Sequence, residues 1–247
     1  MSGGNPACVI PLDSWLEDDL MLSISKINSV AETAFFILKD DNILLRWFTP
    51  EIEMDLCGHA TLATAYCLNS ILNYPDKSIK FETKSGDISV DYKDGKYHMD
   101  FPSRVPVKSD LPKLISKSLN LKPSEIYKSR DFLLIYNSEK EIKKIKINTR
   151  YFNKINLDPG GVVVTAKGTS SDFVSRYFTP QSTILEDPAT GSSHCSLIPF
   201  WSKRLNKTHL TSIQLSKRIG EFECINHSKR VTVIGSAVNY SKTTITI

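Results

Sequence analysis

An α+β fold built from two similar lobes is what this sequence predicts, and three observations carry that expectation. Strands and helices come in groups rather than in strict alternation, which disfavours a doubly wound parallel sheet. The stretches "SIKFETK", "DISVDYK" and "KYHMDFP" form a meander, with turn signals at Ser85-Gly86 and Asp94-Gly95. The second half also echoes the first. "LRWFTP" ends at Pro50 ahead of Gly58-His59-Ala60, and "SRYFTP" ends at Pro180 ahead of Gly191-Ser192-Ser193. In each copy a basic-aromatic-Phe-Thr-Pro strand leads through a loop to glycine, small residues and a helix, as in a duplicated unit.

Taken in order, Ser14 and Glu17 have capping-box spacing, and Leu16, Leu20, Ile24 and Ile27 recur at helical steps, so a helix is expected to run to about Asn28–Val30. "TAFFIL" then reads as a strand, "KDDN" as a turn and "ILLRWFT" as a second strand. A helix follows over Cys57–Asn69, then the meander. "PSRVPVKSDLPK" (Pro102–Lys113) holds three prolines and little apolar periodicity, which marks an interlobe linker. The predicted lobes are residues 1–105 and 114–247. Beyond the linker lie a helix over Leu111–Asn120, the strands "DFLLIYN", "GVVVTAK" and "DFVSRYFT", and a helix after Gly191 bent by Pro199. The strands "RVTVIGSAV" and "TTITI" close the chain, with strand exchange between lobes expected at this end. "EKEIKKIKINTR" (Glu139–Arg150) reads as a solvated strand face rather than a nucleic-acid patch.

Composition narrows the function. The chain has 247 residues, enough for two lobes. Its 40% hydrophobic and 23% charged residues are ordinary for a soluble globular protein. No apolar run approaches the roughly 18 residues needed to cross a bilayer, and the start lacks the pattern of a secretory signal. Five cysteines without a C-x-x-C pair favour neither a disulfide framework nor a zinc site, so a reducing cytosol is expected. His98, His209 and His227 show no metal-ligand spacing. The absence of Walker, G-x-G-x-x-G and G-x-S-x-G motifs speaks against nucleotide binding and serine hydrolysis.

The echo has a chemical consequence. A helix N-terminus carries unpaired N–H groups and partial positive charge, so two such ends facing one cleft would grip an anion such as a carboxylate. Glycine at 58 and 191 would let the backbone approach it. Glu32, where the first helix gives way to a phenylalanine-rich strand, is either a helix-end residue in water or an acid/base group. Asp187, held out of helix by Pro188, either caps a turn or projects from a loop. His59 is either a packed core histidine or a partner to both. Together the three compose a candidate proton-transfer site. His194 and Cys195 read as core, beside the apolar face of Leu197, Ile198, Trp201 and Leu205.

The blocks "GNPACVI", "AETAFF", "LRWFTPEIEMDLCGHATLATAYCL", "DGKYHMDFPS", "DFVSRYFTP" and "EDPATGSSHCSLIPFW" resemble, in order and over nearly the whole chain, those of the phenazine-biosynthesis-like (PhzF-like) family. The resemblance implies a diaminopimelate-epimerase-like fold: two pseudo-symmetric lobes, each a curled, mostly antiparallel sheet around a central helix, with the site between them. It implies a cofactor-independent isomerase, without metal, that moves a proton between carbons of a small anionic, carboxylate-bearing metabolite. Glu32 would be the acid/base, with His59 and Asp187 assisting, and Asn5, Gly58, Gly191 and Ser192 would bind substrate. A cytoplasmic homodimer is expected. Related racemases use a cysteine before the glycine in each lobe. Here Cys57 precedes Gly58 but Thr190 precedes Gly191, and a threonine hydroxyl is far too weak an acid for that role. One-base chemistry through Glu32 is thus preferred over a Cys57-dependent racemase or epimerase, and over a non-catalytic metabolite- or partner-binding protein. Members of the family usually carry a strand ahead of the Gly-Asn-Pro block, where only Met1-Ser2-Gly3 stand here. That edge is expected to be open, or sealed by other residues or a partner chain.

Overall fold

The structure, a computed structural model, describes residues 3–39, 42–157, 160–180 and 182–244. In the first lobe, β1 (Ala7–Leu12) leads to α1 (Asp18–Asn28), β2 (Glu32–Lys39), β3 (Asn42–Phe48) and the short β4 (Glu53–Met54). Then come α2 (Gly58–Tyr66) and the meander β5 (Ser78–Thr83), β6 (Gly86–Lys93) and β7 (Lys96–Pro102). β8 (Val107–Lys108), α3 (Lys113–Ser118), β9 (Glu125–Lys128), β10 (Phe132–Ile135), α4 (Glu139–Lys144) and α5 (Thr149–Phe152) open the second lobe. It continues through β11 (Val162–Lys167), β12 (Phe173–Phe178), β13 (Glu186–Asp187), α6 (His194–Leu205), β14 (His209–Gln214), β15 (Gly220–Asn226) and β16 (Arg230–Gly235).

The duplication is written into the strand pairing. β1 runs parallel to β2, β2 antiparallel to β3, β3 parallel to β5, and β5, β6 and β7 follow antiparallel. The second lobe repeats this sequence of directions with β10, β11, β12, β14, β15 and β16. Even the two-residue returns match, β4 on the end of β3 and β13 on the end of β12. β16 then pairs with β7 over Arg230–Gly235 and Tyr97–Pro102, so the last strand joins the two halves into one sheet. At the far edge, β1 is paired with β2 and with no other strand among the described residues, whereas its counterpart β10 carries β9.

Each central helix is buried nearly all round, which small and apolar residues make possible. In α2, Gly58, Ala60, Thr61, Leu62, Thr64 and Ala65 are all buried. The hydroxyls of Thr61 and Thr64 are satisfied by donating to the carbonyls of Cys57 and Ala60 (2.5 and 2.8 Å). α2 then widens over Cys67–Ile71 into a π-type turn. In α6, His194 through Ser202 are buried. Pro199 has no N–H to give the Cys195 carbonyl four residues earlier. The backbone N–H of Arg104, in the linker, bonds to that carbonyl at 2.8 Å and makes good the loss.

Several local expectations are corrected. α1 starts at Asp18 with Glu17 at the N-cap and no side-chain cap, because Trp15 and Leu16 are drawn against the Phe35–Phe48 cluster instead of entering the helix. Its buried stripe is Met21, Ile24 and Ser25, while Leu20 and Ile27 are exposed. Glu139–Arg150 is not a strand face but the two short helices α4 and α5, with Ile142 and Ile145 turned inward. The reciprocal capping box of the chain lies there, between Ser138 and Glu141. β16 stops at Gly235, and no regular structure covers 236–244. The "KDDN" turn at Asp40-Asp41 and the end of "TTITI" lie outside the described residues.

Candidate active site

Both Phe-Thr-Pro loops open onto one cavity of about 220 Å³, walled by Thr49, Pro50, Thr179 and Pro180 as well as by both helix entrances. Across its mouth Glu51 accepts hydrogen bonds from the Thr183 hydroxyl and amide (2.8 and 3.3 Å), joining the loop after β3 to the loop after β12. At its floor the two helices meet end to end. A Cβ on Gly58 would stand 2.7 Å from Gly191 Cα, and one on Gly191 would stand 2.9 Å from Gly58 Cα. No residue larger than glycine fits either position with this spacing, so both helix N-termini present amides to the same small volume.

The side chains singled out by sequence converge there. Glu32, the first residue of β2, and His59, in the first turn of α2, bring Oε2 and Nε2 to 3.1 Å. The contact lies off the line of a hydrogen bond, and neither atom has another hydrogen-bond partner among the described residues although both are buried. Asn5 amide nitrogen lies 2.6 Å from Asp187 Oδ1 and 3.2 Å from His59 Nδ1. An amide NH₂ only donates. In its neutral form His59 therefore accepts at Nδ1 and carries its proton on Nε2, facing Glu32; the imidazolium has no lone pair for Asn5 and turns a second N–H toward the Asn5 amide. Asp187 also accepts from the Thr190 hydroxyl, and Gln214 braces the same turn through Thr190 N–H (2.8 Å) and the Asp187 carbonyl (2.6 Å). Glu32, His59, Asp187, Gly58, Gly191 and Ser192 all line the cavity, and Asn5 lies directly behind it.

Charge balance differs among these groups. Burial, reinforced by the charge of Glu32, raises Asp187 to about 6, against the opposing pull of His59, Thr190 and Asn5. Burial lowers His59, but Cys57 and Glu32 outweigh it and hold the imidazole well above its ordinary value. Cys57 is raised by burial and by Glu32, which keeps it a thiol at neutral pH. Among the described residues, Glu32, Cys57 and His59 are the grouping whose ligand atoms lie within reach of one ion, all within 4.8 Å. Cys57 Sγ, however, faces His59 Nδ1 (3.6 Å) and Glu32 faces Nε2. The three thus form a chain through the two ring nitrogens rather than a converging chelate.

Sequence reading missed a second buried network. Arg130, Asp131, Tyr177 and Asp55 sit behind Ser192 and are joined by hydrogen bonds. A signal was present: an Arg-Asp pair directly before the apolar run "FLLI" places two charges where burial demands a partner.

Two lobes of like topology, with helix N-termini and a carboxylate–imidazole pair around one cavity, define an epimerase-like isomerase class. The model of the phenazine biosynthesis-like protein family matches residues 1–243, and the chain belongs to that family. A Pseudomonas aeruginosa protein named an uncharacterized isomerase is 40% identical over 98% of this chain and 93% of its own. A crystal structure of a PhzF-family phenazine biosynthesis protein from Enterococcus faecalis superposes with a TM-score of 0.87 at 40% identity, covering 97% of this chain and 92% of that one. A hydroxyproline epimerase from Agrobacterium vitis shares the fold alone, with a TM-score of 0.54 at 10% identity, covering 86% of this chain and 74% of that one. The chain is accordingly an isomerase. No helix among the described residues is long and apolar enough to cross a membrane.

Proposed function

We propose that this isomerase moves a proton between carbons of a small carboxylate-bearing metabolite, with Glu32 as the single acid/base. The observation that carries the reading is Glu32 Oε2 at the cavity wall, buried without a hydrogen-bond partner among the described residues and 3.1 Å from His59 Nε2. A buried polar atom without a partner is costly, and a substrate C–H beside it supplies the proton that Glu32 takes.

Negative charge then develops on the substrate toward its acid group. The amides at the entrances of α2 and α6 and the Ser192 hydroxyl stabilise that charge with donors already in place. His59, its proton on Nε2, steadies the carboxylate, and Glu32 returns the hydrogen it took to the second carbon. When His59 is neutral, Asn5 selects the Nε2–H tautomer, and Asp187 holds Asn5 in place. Positioned groups of this kind each contribute on the order of 10²–10⁴-fold in rate.

Cys57 supports a second reading, a thiol-dependent racemase, through its contact with His59. Two features weaken it: the raised thiol, and Thr190, whose hydroxyl hydrogen is engaged by Asp187. We take the working molecule to be a homodimer. The test is a structure with a small carboxylate bound. The acid group between Gly58 and Gly191 with Glu32 against a neighbouring carbon supports the reading; a carboxylate bound elsewhere, or Glu32 turned from it, removes it.

A further inference from the structure

Arg130 lies between β9 and β10, with its side chain only 9% exposed. Its guanidinium spends its donors in three directions. Nε and Nη2 meet the two oxygens of Asp131 at 3.2 and 3.0 Å. Nη1 reaches Asp55 Oδ1 at 3.2 Å, and Nη2 also donates to Ser192 Oγ at 3.1 Å. Asp131 is held in turn by the Tyr177 hydroxyl (3.1 Å) and the Gly161 amide (2.9 Å). The other oxygen of Asp55 takes Arg104 at 2.9 Å. Two arginines and two aspartates thus balance in charge, which makes the burial tolerable.

The contact with Ser192 has a directional consequence. Guanidinium has no lone pair, so Ser192 Oγ must accept from Arg130. Among the described residues this is the one hydrogen bond that Ser192 Oγ makes, and its own hydrogen is left for the cavity that Ser192 lines. The same cation reaches Asp55, on the segment entering α2, and Ser192, on the segment entering α6. One buried group therefore ties together the two chain segments whose glycines abut.

We propose that Arg130 is a positioning residue for the acid group of the substrate: it turns the Ser192 hydroxyl into a donor aimed at the cavity and clamps the two helix entrances at their spacing. This rests on the reading that a carboxylate sits between Gly58 and Gly191. Lysine cannot replace the planar fork, since one ammonium does not span Asp131, Asp55 and Ser192 together.

Benzoate, a carboxylate with an apolar body, is the probe, its binding followed by calorimetry, with thermal melting to confirm that each variant folds. Loss of one hydrogen bond to a charged group predicts that Arg130→Lys weakens benzoate about tenfold. In a Ser192→Ala background the same change weakens it much less, because its route is gone. Equal loss in both backgrounds, or no loss in either, overturns the proposal. Asp55→Asn leaves the Arg130–Asp131 pair intact and serves if Arg130→Lys does not fold. It loosens the α2 side of the clamp and lowers affinity in the unaltered background, much less with Ser192→Ala, and unchanged affinity in the unaltered background overturns the clamp. If Ser192→Ala alone leaves benzoate binding unchanged, or the unaltered protein binds none, the anion-site reading falls and takes this proposal with it.

Discussion

Gly58→Ala tests the close approach of the helix ends through one methyl group. The added Cβ meets Gly191 Cα at 2.7 Å, Gly191 C at 3.1 Å and Ser192 N at 3.3 Å, all backbone. No flexible side chain is available to swing aside. Ordinary contact begins near 3.4 Å, so the helix ends must part by roughly 0.7 Å or distort. Overpacking of this kind costs about 1–3 kcal/mol, offset by up to about 1 kcal/mol for replacing glycine in a helix. With the full offset the net cost is about 0–2 kcal/mol, and at about 2–4 °C per kcal/mol for a chain of this size the melting temperature should fall by up to roughly 8 °C. Benzoate affinity should drop at least tenfold, since a shift near 1 Å in a positioned site is worth up to about 10²-fold. Thermal melting with and without benzoate reads both effects. An unchanged melting temperature together with undiminished binding would refute the abutting helix ends as the anion site.

Further outcomes follow from the buried titrating groups. His194, fully buried, bonds through Nδ1 to the Thr190 carbonyl (3.0 Å) and through Nε2 to the Ser212 hydroxyl (2.8 Å), and burial lowers it to about 4. The unfolded chain therefore takes up this proton near pH 6.5 and the folded one only near 4. As pH falls through that window, up to about 3 kcal/mol of stability is lost. Denaturant melts should show that component in the unaltered protein and not in His194→Asn. Asp187, raised to about 6, works oppositely: the folded chain keeps its proton to a higher pH than the unfolded one, so its contribution is lost as pH rises from about 4 to 6. The difference between protein and variant isolates the histidine. If the Asp187 carboxylate must be ionised to hold Asn5, kcat/KM falls below pH 6 with unit slope, and Asp187→Asn abolishes that limb along with most of the rate. Thr190→Cys supplies the second thiol of a two-base racemase. It should give no racemase activity and should lower turnover by removing the hydroxyl that braces Asp187.

The duplicated Phe-Thr-Pro strands and their downstream glycines made the two-lobed fold legible, because each copy spells one strand, one loop and one helix entrance in consecutive residues. The same locality made the candidate site legible: Glu32, His59, Asp187 and Ser192 all sit at element ends, which local signals mark. Local signals also misled. Ser14 and Glu17 have the spacing of a capping box without forming one, while Ser138 and Glu141 form one inside a stretch whose isoleucines invite a strand reading. β8, β9, β14 and β15 carry weak alternation and are fixed by their partners across the sheet. Arg130 belongs with these. Its meaning depends on Asp55 and Ser192, which lie far away along the chain and meet it only once the lobes close.

The central claim is that Glu32 itself carries the proton, and solvent exchange reads this directly. Small cyclic and unsaturated carboxylic acids are incubated with the protein in D₂O and followed by proton NMR. The account predicts deuterium entering one carbon-bound position in the presence of the unaltered protein. Glu32→Gln should abolish that exchange, while Cys57→Ala retains most of it. Exchange that survives Glu32→Gln and disappears with Cys57→Ala would contradict the account.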